Sequence, residues 1–259
     1  MWESPREIKK LEDCYFYHTM DLPTYGRVVG EWDLRGKEDD YLGNTSTSEK
    51  KVLDVGTASG HMCFHMEKCG AEVVAYDLSG SCSWDIVPYA NQDVSAQIKL
   101  RKSHIDLINN GFWFAHRANG SKAKVVYGRV YDISENLGQF DMALVGSILL
   151  HLRDPFLALE KIAKVVSDTI VVTDVLPGQR NVFERLLPKF SFLQKNRSIK
   201  FLPNASSGKP LETWWNLNPH VVVEFLKVLG FCKIDISYHT QLGRLDRLKK
   251  MYTVVARRG

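Results

Sequence analysis

The chain has 259 residues, 44% hydrophobic and 25% charged, with a mean hydropathy of −0.21; that fits one large α/β domain or two small ones and excludes a low-complexity chain. No uncharged run approaches the ~20 residues of a membrane span, the charged start MWESPREIKKLED lacks the apolar region of a secretory signal, and the five cysteines (Cys14, Cys63, Cys69, Cys82, Cys232) are scattered without a CxxC pair, so a cytoplasmic chain without disulfides or zinc knuckles is expected. The net charge of +4, from 34 Lys+Arg against 30 Asp+Glu, permits a polyanionic partner without requiring one.

Residues 1–50 are aromatic and irregular: YFYHTMDLPTYGRVVGEWDLRG, then the polar GNTSTSEK. They read as an N-terminal cap leading into a domain over 51–259. KVLDVG is a short apolar strand followed by a Gly/Ser turn and a helix, HMCFHMEKCG. AEVVAYD, KVVYGRVYD, FDMALVGSILLHL and TIVVTDV read as further strands, the third running into a loop. IDLINNGFWFAHRAN and PFLALEKIAKVVS between them read as helices. The helix PHVVVEFLKVLGF precedes two final strands, FCKIDISYHT and MYTVVARR, near enough to pair antiparallel. Strands alternating with helices predict a doubly wound α/β fold. Its seven-stranded sheet is mostly parallel with an antiparallel last strand, and an insertion is expected around 176–213.

The segment Leu53-Asp54-Val55-Gly56-Thr57-Ala58-Ser59-Gly60 is the most informative. A buried strand ends in an acid, and a turn of small residues opens a helix whose free N–H groups face outward, so a ligand can approach the backbone closely. A dinucleotide needs G-x-G-x-x-G, and His61 occupies the third glycine position. The spacing D-x-G-x-(G/A)-x-G instead suits an adenosyl ligand without a phosphate at the turn; a tight turn without a ligand is the alternative. Asp77, followed by Leu78, ends the second strand and offers a carboxylate to two ribose hydroxyls, or caps a helix. Asp132, between Tyr131 and Ile133, offers an acceptor to an adenine amino group, or serves a turn. Gly146 and Ser147 bring the fourth strand end beside the same ligand.

Together these residues resemble motif I and its followers in the class I S-adenosylmethionine-dependent methyltransferases, over most of 51–175. The flanks YHTMDL, GEWDLRG, HLRDP and TWWNLNPHVVVEFLKVLGF are similar to a subgroup related to the tRNA wobble-uridine 5-oxyacetic acid synthases and 5-methoxyuridine methyltransferases. The resemblance implies S-adenosylmethionine as cofactor, S-adenosylhomocysteine as product, and a small hydroxylated molecule or a tRNA as acceptor. Ala58 stands where the superfamily usually has glycine, and Leu150-His151 where the wobble-uridine enzymes carry Tyr-His.

His151, expected near the transferred methyl, is the candidate general base; the alternative is a structural histidine bonded to a backbone carbonyl. Asp154-Pro155 reads as a helix start. In the cap, His18, Trp32 and Arg35 are candidates for the acceptor: Trp32 by stacking on it or on adenine, Arg35 by pairing with a carboxylate or phosphate. A buried Trp beside a surface ion pair is the plainer reading. Trp214 and Trp215 would wall a flat acceptor, although adjacent residues on one strand face opposite ways. Trp84-Asp85 either covers the adenosine or packs a loop. An Asn-Pro-Pro-Tyr segment and a Pro-Cys turn are missing, which disfavours base-amino and cysteine-dependent carbon methylation. His61 and His65 have no third metal ligand nearby, and the basic runs 195–200 and 244–250 read as solvated faces. The expected function is O-methyl transfer to a small hydroxylated acceptor. A tRNA wobble-uridine enzyme, a non-catalytic adenosyl-binding module and a dinucleotide oxidoreductase are the alternatives.

Overall fold

The computed structural model describes residues 2–177, 197–243 and 247–259. The chain runs through β1 (Met20–Leu22), β2 (Gly26–Val28), α1 (Glu38–Tyr41), β3 (Lys51–Val55), α2 (His61–Lys68), β4 (Glu72–Asp77), α3 (Ser95–Asn119) and β5 (Lys124–Tyr127). It continues through β6 (Phe140–Gly146), α4 (Pro155–Val165), β7 (Val166–Val175), β8 (Ile199–Phe201), β9 (Trp215–Leu217), α5 (Pro219–Val228), β10 (Phe231–Gly243) and β11 (Arg247–Arg258).

Seven strands form one sheet in the order β10-β11-β7-β6-β3-β4-β5. The run β7-β6-β3-β4-β5 pairs in parallel, and β11 is antiparallel to both of its neighbours. The doubly wound, mostly parallel sheet read from the sequence is therefore present, with β11, the last strand, as the reversed one. The inner strands bury both faces, as apolar runs such as Lys51–Val55 and Phe140–Gly146 require. One face packs α4 and α5; the other packs α2, α3 and the cap, whose Met20, Leu22, Leu34 and Tyr41 share a core with Val52, Phe112 and Val255. The cap is thus fastened to the sheet by apolar burial, the dominant favourable contribution to folding.

Helix starts follow local chemistry. Asp154 caps α4 by accepting the Leu157 N–H (2.9 Å) ahead of Pro155, and Asn218 caps α5 by accepting from His220 N–H (3.0 Å) ahead of Pro219.

Strands β7, β10 and β11 run longer than expected, and three other elements differ from expectation. The strand expected over KVVYGRVYD ends at Tyr127. The Tyr76 hydroxyl donates to the Arg129 carbonyl (2.9 Å) and fills the space a side chain at Gly128 would need, so the backbone leaves the ladder. The helix α4 stops at Val165, where the β-branched Val166 already opens β7. The helix α3 begins ten residues before its apolar stripe, because its buried residues start only at Ile105. In the expected insertion, 178–196 lie outside the described residues, while β8 within it pairs antiparallel with β9, which follows its end. Residues 195–196 and 244–246 of the two basic runs also lie outside them.

Candidate active site

The parallel strands β3, β4, β5 and β6 deliver their carboxyl ends to one edge, where a ligand crevice is expected in an open α/β sheet. A cleft of about 1400 Å³, its open mouth included, lies there. From the expected site it gathers Asp54, Gly56, Thr57, Ala58, Asp77, Leu78, Tyr131, Gly146, Ser147, His151, His18 and Trp32.

The first turn is built around two left-handed residues. Gly56 has φ +79°, and a Cβ there would collide with Ile148 Cγ2. Ala58 has φ +48°, and its N–H donates to Asp77 Oδ2 (2.7 Å), while the Leu78 N–H donates to Oδ1 (2.7 Å). Burial raises the Asp77 carboxyl above its ordinary value, against the pull of these two N–H groups. Each oxygen keeps a second lone pair for a ligand. Asp54, buried at the end of β3, has an Oδ2 without a hydrogen-bond partner among the described residues. Burial pushes its carboxyl up to about 7, opposed by the neighbouring Thr57 hydroxyl.

Seven expected residues stand outside the cleft wall, each for a visible reason. Ser59 is fully buried and uses its Oγ to accept the His18 N–H (3.0 Å), which ties the cap to the turn. Gly60, φ +90°, leaves room for the rings of Phe64 and Phe112, so it serves the packing of α2. Asp132 is exposed on a short 3₁₀ turn and Ile133 belongs to the core; Gly128, Arg129 and Val130 meet the cleft instead. Arg35 is spent on a bidentate pair with Asp33 (2.8 and 2.6 Å) and a bond to Asp21 (2.7 Å), away from the cleft. Trp214 donates its indole N–H to the Asp85 carbonyl (2.6 Å), and Trp215 donates to the Leu152 carbonyl (3.0 Å). Both tryptophans brace the loop that carries His151 rather than walling the acceptor.

That loop is tightly specified. His151 ends a 3₁₀ turn, Leu149–His151, with Nδ1 on the Glu212 carbonyl (2.6 Å) and the Trp84 ring stacked against it at 6.2 Å. Glu212 pairs through its carboxylate with Arg101 of α3, whose guanidinium lies 4.9 Å from the Trp84 ring centre. Burial lowers the His151 pKa below 6.5 against the raising effect of the Glu212 carbonyl, and Arg101 lowers it further. Asp85 ties the surrounding pieces together. Its Oδ2 accepts from the Tyr131 hydroxyl (2.5 Å) and the Arg153 N–H (2.8 Å), and its Oδ1 faces Arg129 (3.4 Å).

Several lining residues were not among the expected site residues, although Tyr17 and Leu34 lie in the flanks YHTMDL and GEWDLRG. Tyr17, Leu34, Tyr41 and Met251 form the wall on the cap side. The Tyr41 hydroxyl lies 3.5 Å from Ser147 Oγ, over the space left by the missing side chain of Gly146. Asn109 is buried on α3 and donates to the Leu78 carbonyl (3.0 Å); a polar residue on the apolar face of that helix was the one signal available. His61 and His65 face Glu38 (3.0 Å) and Asp39 (3.9 Å). Among the described residues no group of three metal-ligating side chains occurs, and no helix is long and apolar enough to cross a membrane.

A family model described as a methyltransferase domain matches residues 36–219. The chain belongs to the methyltransferase-domain family. Family and fold agree on an S-adenosylmethionine-dependent methyltransferase, and the dinucleotide-oxidoreductase alternative falls. Solved structures share the fold of this methyltransferase at low identity. A SAM-dependent methyltransferase from Methanosarcina mazei is 14% identical over 87% of this chain and 98% of its own, with a TM-score of 0.54. The N-terminal domain of EvdMO1, described in the presence of SAH and D-fucose, is 15% identical over 96% and 93% (TM-score 0.56). The 1,6-didemethyltoxoflavin-N1-methyltransferase of Burkholderia thailandensis is 15% identical over 87% and 77% (TM-score 0.52). No curated protein matches the chain.

Proposed function

We propose that this methyltransferase transfers a methyl group to a hydroxyl oxygen of a small acceptor, with His151 as general base. The residues of the cleft suit an adenosyl cofactor. Asp77 offers two free lone pairs where ribose hydroxyls would lie, Gly56 leaves the backbone bare, and Asn109 fixes the Leu78 carbonyl beside them. S-adenosylmethionine supplies a methyl already activated as a sulfonium, so the protein's task is positioning and proton removal.

One observation carries the reading: His151 holds Nδ1 on the Glu212 carbonyl at 2.6 Å. A carbonyl only accepts, so Nδ1 carries the proton and Nε2 keeps a lone pair. Burial holds the imidazole below its ordinary pKa, so at neutral pH it is unprotonated and able to take the acceptor's hydroxyl proton at Nε2. The two readings of His151, base and carbonyl-bonded structural residue, thus become one: the carbonyl bond sets the tautomer that a base requires. Tyr17, Trp32, Leu34 and Met251 give the cap side an apolar wall suited to a small, flat acceptor.

The test measures transfer of labelled methyl to a panel of phenols, sugars and tRNA. With the acceptor found, His151→Ala should slow turnover by about 10²–10⁴-fold while the dissociation constant for S-adenosylhomocysteine stays unchanged. Near-normal turnover would remove the base. Turnover with tRNA alone, weakening steeply with salt, would move the acceptor to nucleic acid.

A further inference from the structure

We propose that His18, from the N-terminal cap, joins Asp54 in seating the α-ammonium group of the cofactor, so that the cap is part of the cofactor site. The proposal rests on the reading that the cleft takes S-adenosylmethionine.

Three buried polar atoms of residues that line this cleft have no hydrogen-bond partner among the described residues: His18 Nδ1, Asp54 Oδ2 and Thr57 Oγ1. The hydroxyl both donates and accepts, so it is His18 and Asp54 that discriminate between ligand groups. A buried polar atom left unpaired is unfavourable, and natural proteins rarely keep one without a ligand or water to meet it. His18 is not loosely placed. Its N–H donates to Ser59 Oγ (3.0 Å) in the cofactor turn, and its backbone packs so closely on Gly30 that no side chain fits there. The backbone of His18 is therefore fastened to the turn that follows the strand carrying Asp54.

The chemistry of the two atoms selects the ligand group. Asp54 is an acceptor when ionised and repels a carboxylate. Burial, reinforced by His61 with its ring centre 6.0 Å away, drives the His18 pKa down to about 3, so His18 is neutral, with one ring nitrogen a donor and the other an acceptor. In the proposed seat Nδ1 is the acceptor. A group that satisfies a carboxylate and a neutral imidazole nitrogen together is a cationic donor. The cofactor has one such hydrogen-bonding group, the ammonium at its amino-acid end; its adenosine end is accounted for by Asp77. This moves His18 from the acceptor, where the sequence placed it, to the cofactor.

The experiment compares two ligands by calorimetry: S-adenosylhomocysteine, and 5′-methylthioadenosine, which keeps the nucleoside and thioether but lacks the amino-acid end. His18→Leu should weaken S-adenosylhomocysteine by about tenfold or more, the range of one charge-assisted hydrogen bond, and leave methylthioadenosine within about twofold. His18→Asn, whose Oδ1 stands near the position of Nδ1, should recover most of the loss. Equal weakening of both ligands by His18→Leu would make His18 a structural residue and overturn the proposal, as would no weakening of either. If the wild-type protein bound neither ligand, the cofactor reading itself would fall, and the proposal with it.

Discussion

Ala58 is a non-glycine residue in a left-handed conformation, two positions after a glycine that shares the conformation. The difference between them lies in what a Cβ meets. At Gly56 it would enter Ile148, so Gly56→Ala adds a collision to an unfavourable φ. We expect that variant to lose about 2 kcal/mol or more of stability and most of its cofactor affinity. At Ala58 the Cβ is already accommodated and the N–H is fixed on Asp77. Ala58→Gly relieves about 1 kcal/mol of backbone strain and adds unfolded-state freedom of similar size. Its stability should stay within about 0.5 kcal/mol of wild type, with cofactor binding intact. Chemical denaturation and a cofactor titration on both variants check the pair. A tolerated Gly56→Ala would show that the cofactor does not need the bare backbone there.

Around His151, elements far apart in sequence meet: Trp84 from the loop after β4, Arg101 from α3 and Glu212 from the segment before β9. Arg101 acts on His151 only through Glu212, Trp84 and its charge, so it is a positioning residue. Arg101→Met should reduce kcat by about tenfold, since small losses of alignment cost rate steeply, with the cofactor dissociation constant unchanged. The charge gives a sharper readout. Arg101 lowers the pKa of His151, and a general base fails as pH falls through its pKa, so removing Arg101 should move the acid limb of the pH–rate profile to higher pH. A drop in kcat without that movement would leave Arg101 a purely structural brace. The circuit as a whole was not legible in the sequence, because Glu212 lies 61 residues from His151 and 111 from Arg101 and no local pattern links them. Trp214 and Trp215 were misplaced for the same reason: each was assigned by residue type, whereas its position is fixed by distant partners, the Asp85 and Leu152 carbonyls. Arg35 follows the plainer of its two readings, an ion pair with Asp33 two residues away. The glycine turn, Asp77 and the strand order were legible because they depend on residues adjacent in the chain and on the alternation of strand and helix.

In the whole molecule, burial at the strand ends stores charge that can be read as a dependence of stability on pH. Asp174, near the end of β7 and opposite Tyr252 of β11, is buried with Oδ2 unpartnered among the described residues. Burial drives its carboxyl up to about 7 from 3.8, against backbone N–H groups of Val175 and Leu150. Between those values the folded state binds more protons at this site than the unfolded state. Stability from this group is therefore present at low pH and is lost as pH rises toward about 7. The lowered histidines, His18, His65, His151 and His239, work in the opposite direction up to 6.5, so the wild-type curve alone does not isolate the carboxyl. Comparison with Asp174→Asn does, because the other groups titrate in both proteins and the amide oxygen can still accept the backbone N–H groups. Denaturant unfolding should show the variant gaining on wild type from pH 5 to pH 8, at about 1.4 kcal/mol for each unit of displaced titration, and then no further above pH 8. A difference that stayed constant across this range would mean that Asp174 is already neutralised by a partner or by water reaching it from the cleft side of the sheet.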